Sequence, residues 1–147
     1  MFHSLPSIWI HAIWSTRDRN PFILPPIEKA VHQFLACKFE ETGCPVRIIN
    51  GMPDHVHCLF RQNPLKSISD VIKQVKGSSS QWINTQGMLP EKFAWQKGYA
   101  VYSVGASAME WIQHYIQEQK IHHLKKTYRE EFNHFLRMHG LDNELIA

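Results

Sequence analysis

Two apolar runs, PVRIINGM (45–52) and HVHCLFRQ (55–62), are separated only by Pro53 and Asp54. Proline presets its own φ and aspartate hydrogen-bonds nearby backbone, so the pair reads as a turn and the runs as the two strands of a β-hairpin. That hairpin constrains the rest of the chain. Side chains alternate along a strand, so Val56, Cys58 and Phe60 share one face while His55 and His57 share the other. The apolar face has to be covered, and an isolated hairpin is marginal in water, so the flanking sequence must supply further strands and helices.

It does so in a regular order. SIWIHAIWST (7–16) is β-branched and aromatic enough for a strand, and Pro25 and Pro26 open a helix whose Ile27, Ala30, Val31, Phe34 and Leu35 recur at helical spacing up to Gly43. Ser67 or Ser69 caps a second helix with Ile68, Val71, Ile72, Val75, Trp82 and Ile83 on its buried side. YAVYSVG (99–105) is a fourth strand. Ser107 with Glu110 is a capping box for a third helix, and Thr127 with Glu130 opens a fourth that Gly140 can close. The order strand, helix, strand, strand, helix, strand is the split βαβ pattern of an α+β, ferredoxin-like (RRM-like) antiparallel sheet. This predicts helices on one face of the sheet and an open second face, with the C-terminal helices following.

Composition narrows the class. The 147 residues fit one domain spanning 1–147, with no linker or low-complexity tract. The start lacks the basic and apolar regions of a leader, and no apolar run reaches the roughly 18 residues of a membrane span, so a soluble cytoplasmic protein is expected, with no membrane partner. Cys37, Cys44 and Cys58 are odd in number and lack CxxC spacing, which fits reduced thiols rather than a disulfide framework or thiolate zinc site. A net charge of +3 is compatible with a polyanionic partner without requiring one. No GxxxxGK[ST] run offers a nucleotide cradle.

The histidine pair carries the first functional signal. Two imidazoles on neighbouring same-side strand positions can converge on one divalent cation, though a pair so spaced also arises by chance in a chain with ten histidines. In WIQHYIQEQKIHH (111–123), Met109, Ile112 and Ile116 form an apolar stripe, and Tyr115, Gln119 and His122 share a different face about 100° away. A tyrosine at a stripe edge can simply be half-buried packing. Its chemical alternative is specific: a phenol beside a metal-bound phosphate can attack phosphorus and store the energy of a cut strand as a phosphotyrosine bond. Gln119 could then offer the metal an oxygen.

At these residues the chain resembles the small single-tyrosine transposases of the HUH endonuclease class, in the insertion sequence 200/605 group. The resemblance rests on TRDR (16–19) after the opening strand, PDHVHCLF (53–60), SISDVIKQVKGSSS (67–80), WQKGYAVYSVG (95–105) and YIQEQKIHH (115–123), in that order. It implies that His55 and His57 hold a divalent cation, Mg²⁺ or Mn²⁺, that Tyr115 is the nucleophile, and that Gln119 completes the metal site. It further implies a homodimer with active sites shared between subunits, acting on single-stranded DNA with hairpins at element ends. The chain ends soon after its last helix, which favours the transposase subgroup over the repetitive-element-associated one.

Contacts to DNA are less specific. Arg17, Arg19, Lys73, Lys76 and Lys97 are the candidate cations, each of which could equally be solvated surface. Trp95 and Tyr99 either stack on bases or pack at a strand start. Asp54 either orients a histidine from behind or merely makes the turn. His11, alternating with Trp9 and Ile13, reads as packed, and His114 and His123 as surface or helix-end residues. Two rivals stand beside this reading. A histidine-triad nucleotide hydrolase would need a third alternating histidine where Leu59 stands; a non-catalytic or repetitive-element-associated hairpin-binding protein of the same fold would be expected to lose a metal or nucleophile residue.

Overall fold

The computed structural model describes residues 4–124 and 126–141. Its strands are β1 (Trp9–Ser15), β2 (Val46–Met52), β3 (His55–Arg61) and β4 (Ala100–Val104). Helix α1 (Pro25–Glu41) joins β1 to β2 and α2 (Ile68–Thr85) joins β3 to β4, while α3 (Met109–Gln117), α4 (Gln119–His122) and α5 (Tyr128–Met138) follow the sheet. The strands lie in the order β2-β3-β1-β4, all neighbours antiparallel, which is the ferredoxin-like arrangement. No helix among the described residues is long and apolar enough to cross a membrane.

Local chemistry sets the element ends. Met52 and His55 pair directly across the Pro53–Asp54 turn, so the hairpin is the one the sequence predicts, with a register shift further along between Val46 and Ile48. Gly51 is required there by close approach: a Cβ would collide with the His55 carbonyl. Proline opens α1, where the missing N–H would have had no helical partner. Ser67, rather than Ser69, caps α2 by accepting from the Asp70 N–H, and Thr127 does the same for α5 from Glu130.

Two cores form, one on each face. Ile10, Ala12, Trp14, Val56, Cys58 and Phe60 pack beneath α1 and α2 with Val31, Leu35, Phe39, Val71 and Val75. On the other face Ile13, Leu59, Tyr102 and Val104 pack against Met109, Ile112, Ile116, Phe135 and Leu136. The second face is therefore closed, not open as the strand pattern predicts. Its own apolar positions and the amphipathic stripes of α3 and α5 each need burial, and at about 25 cal/mol per Å² they obtain it from one another. The Ser107–Glu110 capping box does not form either. Ser107 lies in a short 3₁₀ turn, Ala106–Ala108, and α3 begins at Met109 with Ala108 at the N-cap and no side-chain cap.

Candidate active site

β3 carries His55 and His57 into the closed space between the sheet and the C-terminal helices, where both are fully buried. Their ring centroids are 5.3 Å apart. The Nδ1 of His55 is 2.8 Å from Asp54 Oδ1, so the turn residue also orients the ring behind it. On the far side of that ring, Nε2 lies 3.2 Å from Gln119 Oε1. His57 Nδ1 is 2.8 Å from His11 Nε2, and its Nε2 is 2.7 Å from Glu131 Oε1. Each histidine thus has a proton acceptor available at Nδ1, which leaves Nε2 free to face a cation.

Both Nε2 atoms point at Glu131. This carboxylate, in the first turn of α5 and 1% exposed, lies 3.3 Å from His55 Nε2 through Oε1. The ligand atoms of His55, His57 and Glu131 fall within 4.8 Å of one another. Two imidazole nitrogens and a carboxylate oxygen suit a divalent cation of intermediate hardness, with Gln119 adjacent as a further oxygen donor.

Tyr115 projects from α3 into the same space. Its hydroxyl donates to Glu131 Oε2, which also accepts from Gln119 Nε2 at 2.9 Å. The Tyr115 ring lies 6.0 Å from His57 and stacks with Trp111 at 5.7 Å and His122 at 4.6 Å. The helix predicted to run unbroken past Tyr115 bends at Glu118, which divides α3 from α4. Asn50 on β2 fills the break, its Nδ2 donating to the carbonyls of Ile116 and Gln117. Lys120 Nζ donates to Asn50 Oδ1 and the Gly51 carbonyl, so β2 fixes both helix segments over the histidines.

Burial dominates the electrostatics. It lowers His57 from 6.5 to about 4, against the Glu131 carboxylate, and lowers His11 in the same direction with the help of His57. For His55, burial also opposes charge, but hydrogen bonds to Asp54 and Glu131 outweigh it and raise the pKa. Glu131 is pushed up by burial and held well below the ordinary carboxylate range by His123, His55 and His57. Burial, then Glu131, pushes the Tyr115 phenol up, so this hydroxyl is protonated in this state.

Most of the chain matches a known family. The family model described as "Transposase IS200 like" matches residues 4–119. The chain belongs to the IS200-like transposases. ISDra2 transposase TnpA of Deinococcus radiodurans is 28% identical over 114 residues, covering 74% of this chain and 81% of that one. The crystal structure of a candidate transposase from Deinococcus radiodurans R1 superposes with a TM-score of 0.65 at 24% identity, covering 81% of this chain and 95% of that chain. A REP-associated tyrosine transposase bound to a REP hairpin superposes with a TM-score of 0.57 at 13% identity, over 85% of this chain and 71% of that chain.

Within this IS200-like transposase, His55, His57, Tyr115 and Gln119 come together, with Asp54 and His11 behind the histidines. Sequence reasoning missed Glu131, which lies beyond the family match and reads as an ordinary first-turn helix acid. It also misplaced His123, whose ring packs 4.7 Å from His55 and whose Nε2 is 3.3 Å from Glu131 Oε2. The basic candidates divide. Arg19 lines a cleft of about 600 Å³ beside Asp54, His123 and Tyr128, and Lys97 lines one of about 270 Å³ with Ser15, Tyr99 and Tyr128. Arg17 is exposed in the turn after β1, and Lys73 is exposed on α2, the helix packed against the opposite face. Lys76 donates to the carbonyls of Gln96 and Gly98 at 2.8 and 2.7 Å, and burial lowers it to about 8, so it ties down the loop before β4. Trp95 is a packing residue, its Nε1 donating to Ser79 Oγ; Tyr99 is 40% exposed.

Proposed function

We propose that this transposase cuts and rejoins single-stranded DNA through a 5′-phosphotyrosine intermediate. One observation carries the reading: the Tyr115 hydroxyl and the Nε2 atoms of both histidines converge on a single buried carboxylate, so nucleophile and cation ligands share one site. His55 and His57, with Gln119 and Glu131 beside them, would hold Mg²⁺ or Mn²⁺. A cation held there would supply Lewis-acid stabilisation of the charge that develops in the reaction. The Tyr115 oxygen gives up its proton, along its hydrogen bond toward Glu131, and forms the new bond to phosphorus; the bond to the 3′ oxygen breaks and that oxygen takes up a proton, leaving a free 3′-OH. A phenol is a better leaving group than an alkoxide, so an incoming 3′-OH reverses the step.

The substrate proposed is single-stranded DNA flanked by a hairpin, in line with the hairpin bound by the structurally similar REP-associated protein. Arg19 and Lys97 line clefts next to the site and are the best placed of the five cations for phosphate contacts; Arg17, Lys73 and Lys76 would contribute at longer range. The assembly proposed is a homodimer in which α3 to α5, carrying Tyr115, Gln119 and Glu131 as a block, can be exchanged across the 105–108 linker. In this chain Tyr115 already reaches its own His57, so the block serves a site within one subunit or between two.

The test is a denaturing gel with an end-labelled oligonucleotide, followed by peptide mapping. Wild type should form a covalent adduct with single-stranded but not fully duplex DNA. Tyr115→Phe should bind the DNA and form none; an adduct in Tyr115→Phe, or one mapped to Tyr99, Tyr102 or Tyr128, refutes the assignment. Mixing Tyr115→Phe with His57→Ala protein should restore activity if sites are shared, and failure despite demonstrated subunit exchange would place each site within one chain.

A further inference from the structure

We propose that Glu131 is the positioning residue that couples the cation site to the Tyr115 nucleophile. The proposal rests on the phosphotyrosine reading above and adds to it a residue outside the family match, which ends at 119.

The two oxygens of Glu131 face different tasks. Oε1 lies 2.7 Å from His57 Nε2 and 3.3 Å from His55 Nε2, where a shared cation would sit. Oε2 accepts from the Tyr115 hydroxyl and from Gln119 Nε2 at 2.9 Å. An ionised carboxylate has about four lone-pair sites and no proton to give, so it can serve both sides at once. To present Nε2 to a cation, each histidine must carry its proton on Nδ1. With that tautomer His55 Nδ1–H would donate a hydrogen bond to Asp54 Oδ1, and His57 Nδ1–H one to His11 Nε2. Oε1 would then lose its imidazole donors and be available to a cation, while Oε2 keeps the phenol.

The coupling is geometric. α5 carries Glu131, and Phe135 one turn on packs edge-to-face against Tyr115 at 5.1 Å, so helix and phenol are held in one arrangement. A buried carboxylate ringed by imidazoles is an expensive way to fill space, since apolar residues of similar volume generally stabilise as well or better. The oxygen arrangement accounts for its presence where packing does not.

The experiment uses the full chain with Glu131→Gln, Glu131→Asp, and 3-fluorotyrosine at position 115. Single-turnover adduct formation is measured at saturating oligonucleotide and Mn²⁺, oligonucleotide affinity by anisotropy, and the ¹⁹F resonance of residue 115 during Mg²⁺ titration. Glu131→Gln should bind the oligonucleotide within about twofold of wild type, yet form the adduct about 10²-fold more slowly, the effect expected of a nucleophile misplaced by about an ångström. The ¹⁹F resonance should move with Mg²⁺ in wild type and not in Glu131→Gln. Glu131→Asp keeps the carboxylate one methylene short and should fall between the two. An adduct rate in Glu131→Gln within threefold of wild type, or an unchanged ¹⁹F response, overturns the proposal. Should Glu131→Gln fail to fold by circular dichroism, a wild-type rate in Glu131→Asp overturns it instead. An adduct persisting in Tyr115→Phe would count against the phosphotyrosine reading rather than against the coupling.

Discussion

The two faces of the sheet are built on opposite principles. Beneath α1 and α2, Trp14, Phe39, Phe60 and Phe93 interlock in a core of apolar side chains, with the Phe39 and Phe60 rings 4.5 Å apart. Beneath α3 to α5, an apolar border encloses His11, His55, His57, Gln119 and Glu131, all buried and joined in one hydrogen-bonded network. Burying ionisable groups generally opposes stability even when they are paired. The first face is packed by apolar side chains, whereas the second buries ionisable groups inside its apolar border, a cost that the chemistry proposed above would account for. One strand, β3, serves both through the period-two alternation of Val56, Cys58 and Phe60 against His55 and His57.

Chelation tests this contrast most severely. Excess EDTA should reduce adduct formation by about 10⁴-fold, equivalent to about 5.5 kcal/mol in the barrier, while leaving the folded content unchanged by circular dichroism. In chelator-free buffer Mn²⁺ should raise the unfolding midpoint of wild type but not of His57→Ala. Full activity in EDTA would make the second face structural like the first.

On the apolar face the expected effect is on folding. Phe60→Ala should cost about 3–5 kcal/mol in urea unfolding, because it removes a fully buried ring stacked on Phe39 and leaves a cavity. A loss below about 1 kcal/mol would mean that this face does not carry the stability assigned to it.

The third test is of pH dependence. His57 is held at about 4 in the native state against 6.5 for the free side chain, so between those values the unfolded chain binds the extra proton and stability falls as pH is lowered. That one ring corresponds to about 3 kcal/mol. His11 acts in the same sense, whereas His55, raised by Asp54 and Glu131, contributes stability at low pH that is lost as pH rises through its native value. In chelator, wild type should thus lose stability between pH 6.5 and 4, and His57→Gln should lose about 2 kcal/mol less over that interval. Equal slopes would break the link between the buried imidazole and the second face.

Local pattern was sufficient for much of this protein. The turn at Pro53–Asp54, the shared side of His55 and His57 and the cap at Thr127 depend on residues adjacent in the chain, where backbone periodicity leaves little choice, whereas the cap of α2 is narrowed only to Ser67 or Ser69 and the break at Glu118 is not legible. The β2-β3-β1-β4 order was legible too, since it follows from element order and connection rules. What only the tertiary structure decided was what closes the second face. Glu131 sits in a TYREE stretch that reads as helix-start chemistry, and nothing local reveals that its side chain meets residues 74 and 16 positions away. His11 reads as packing because its partner His57 lies on a different strand and is met only through the β1–β3 register. Such contacts depend on how whole elements dock, which is set by the joint burial of Ile13, Leu59, Ile116 and Phe135. A packed face of that kind is specified by volume and shape across distant segments, and no single segment encodes it.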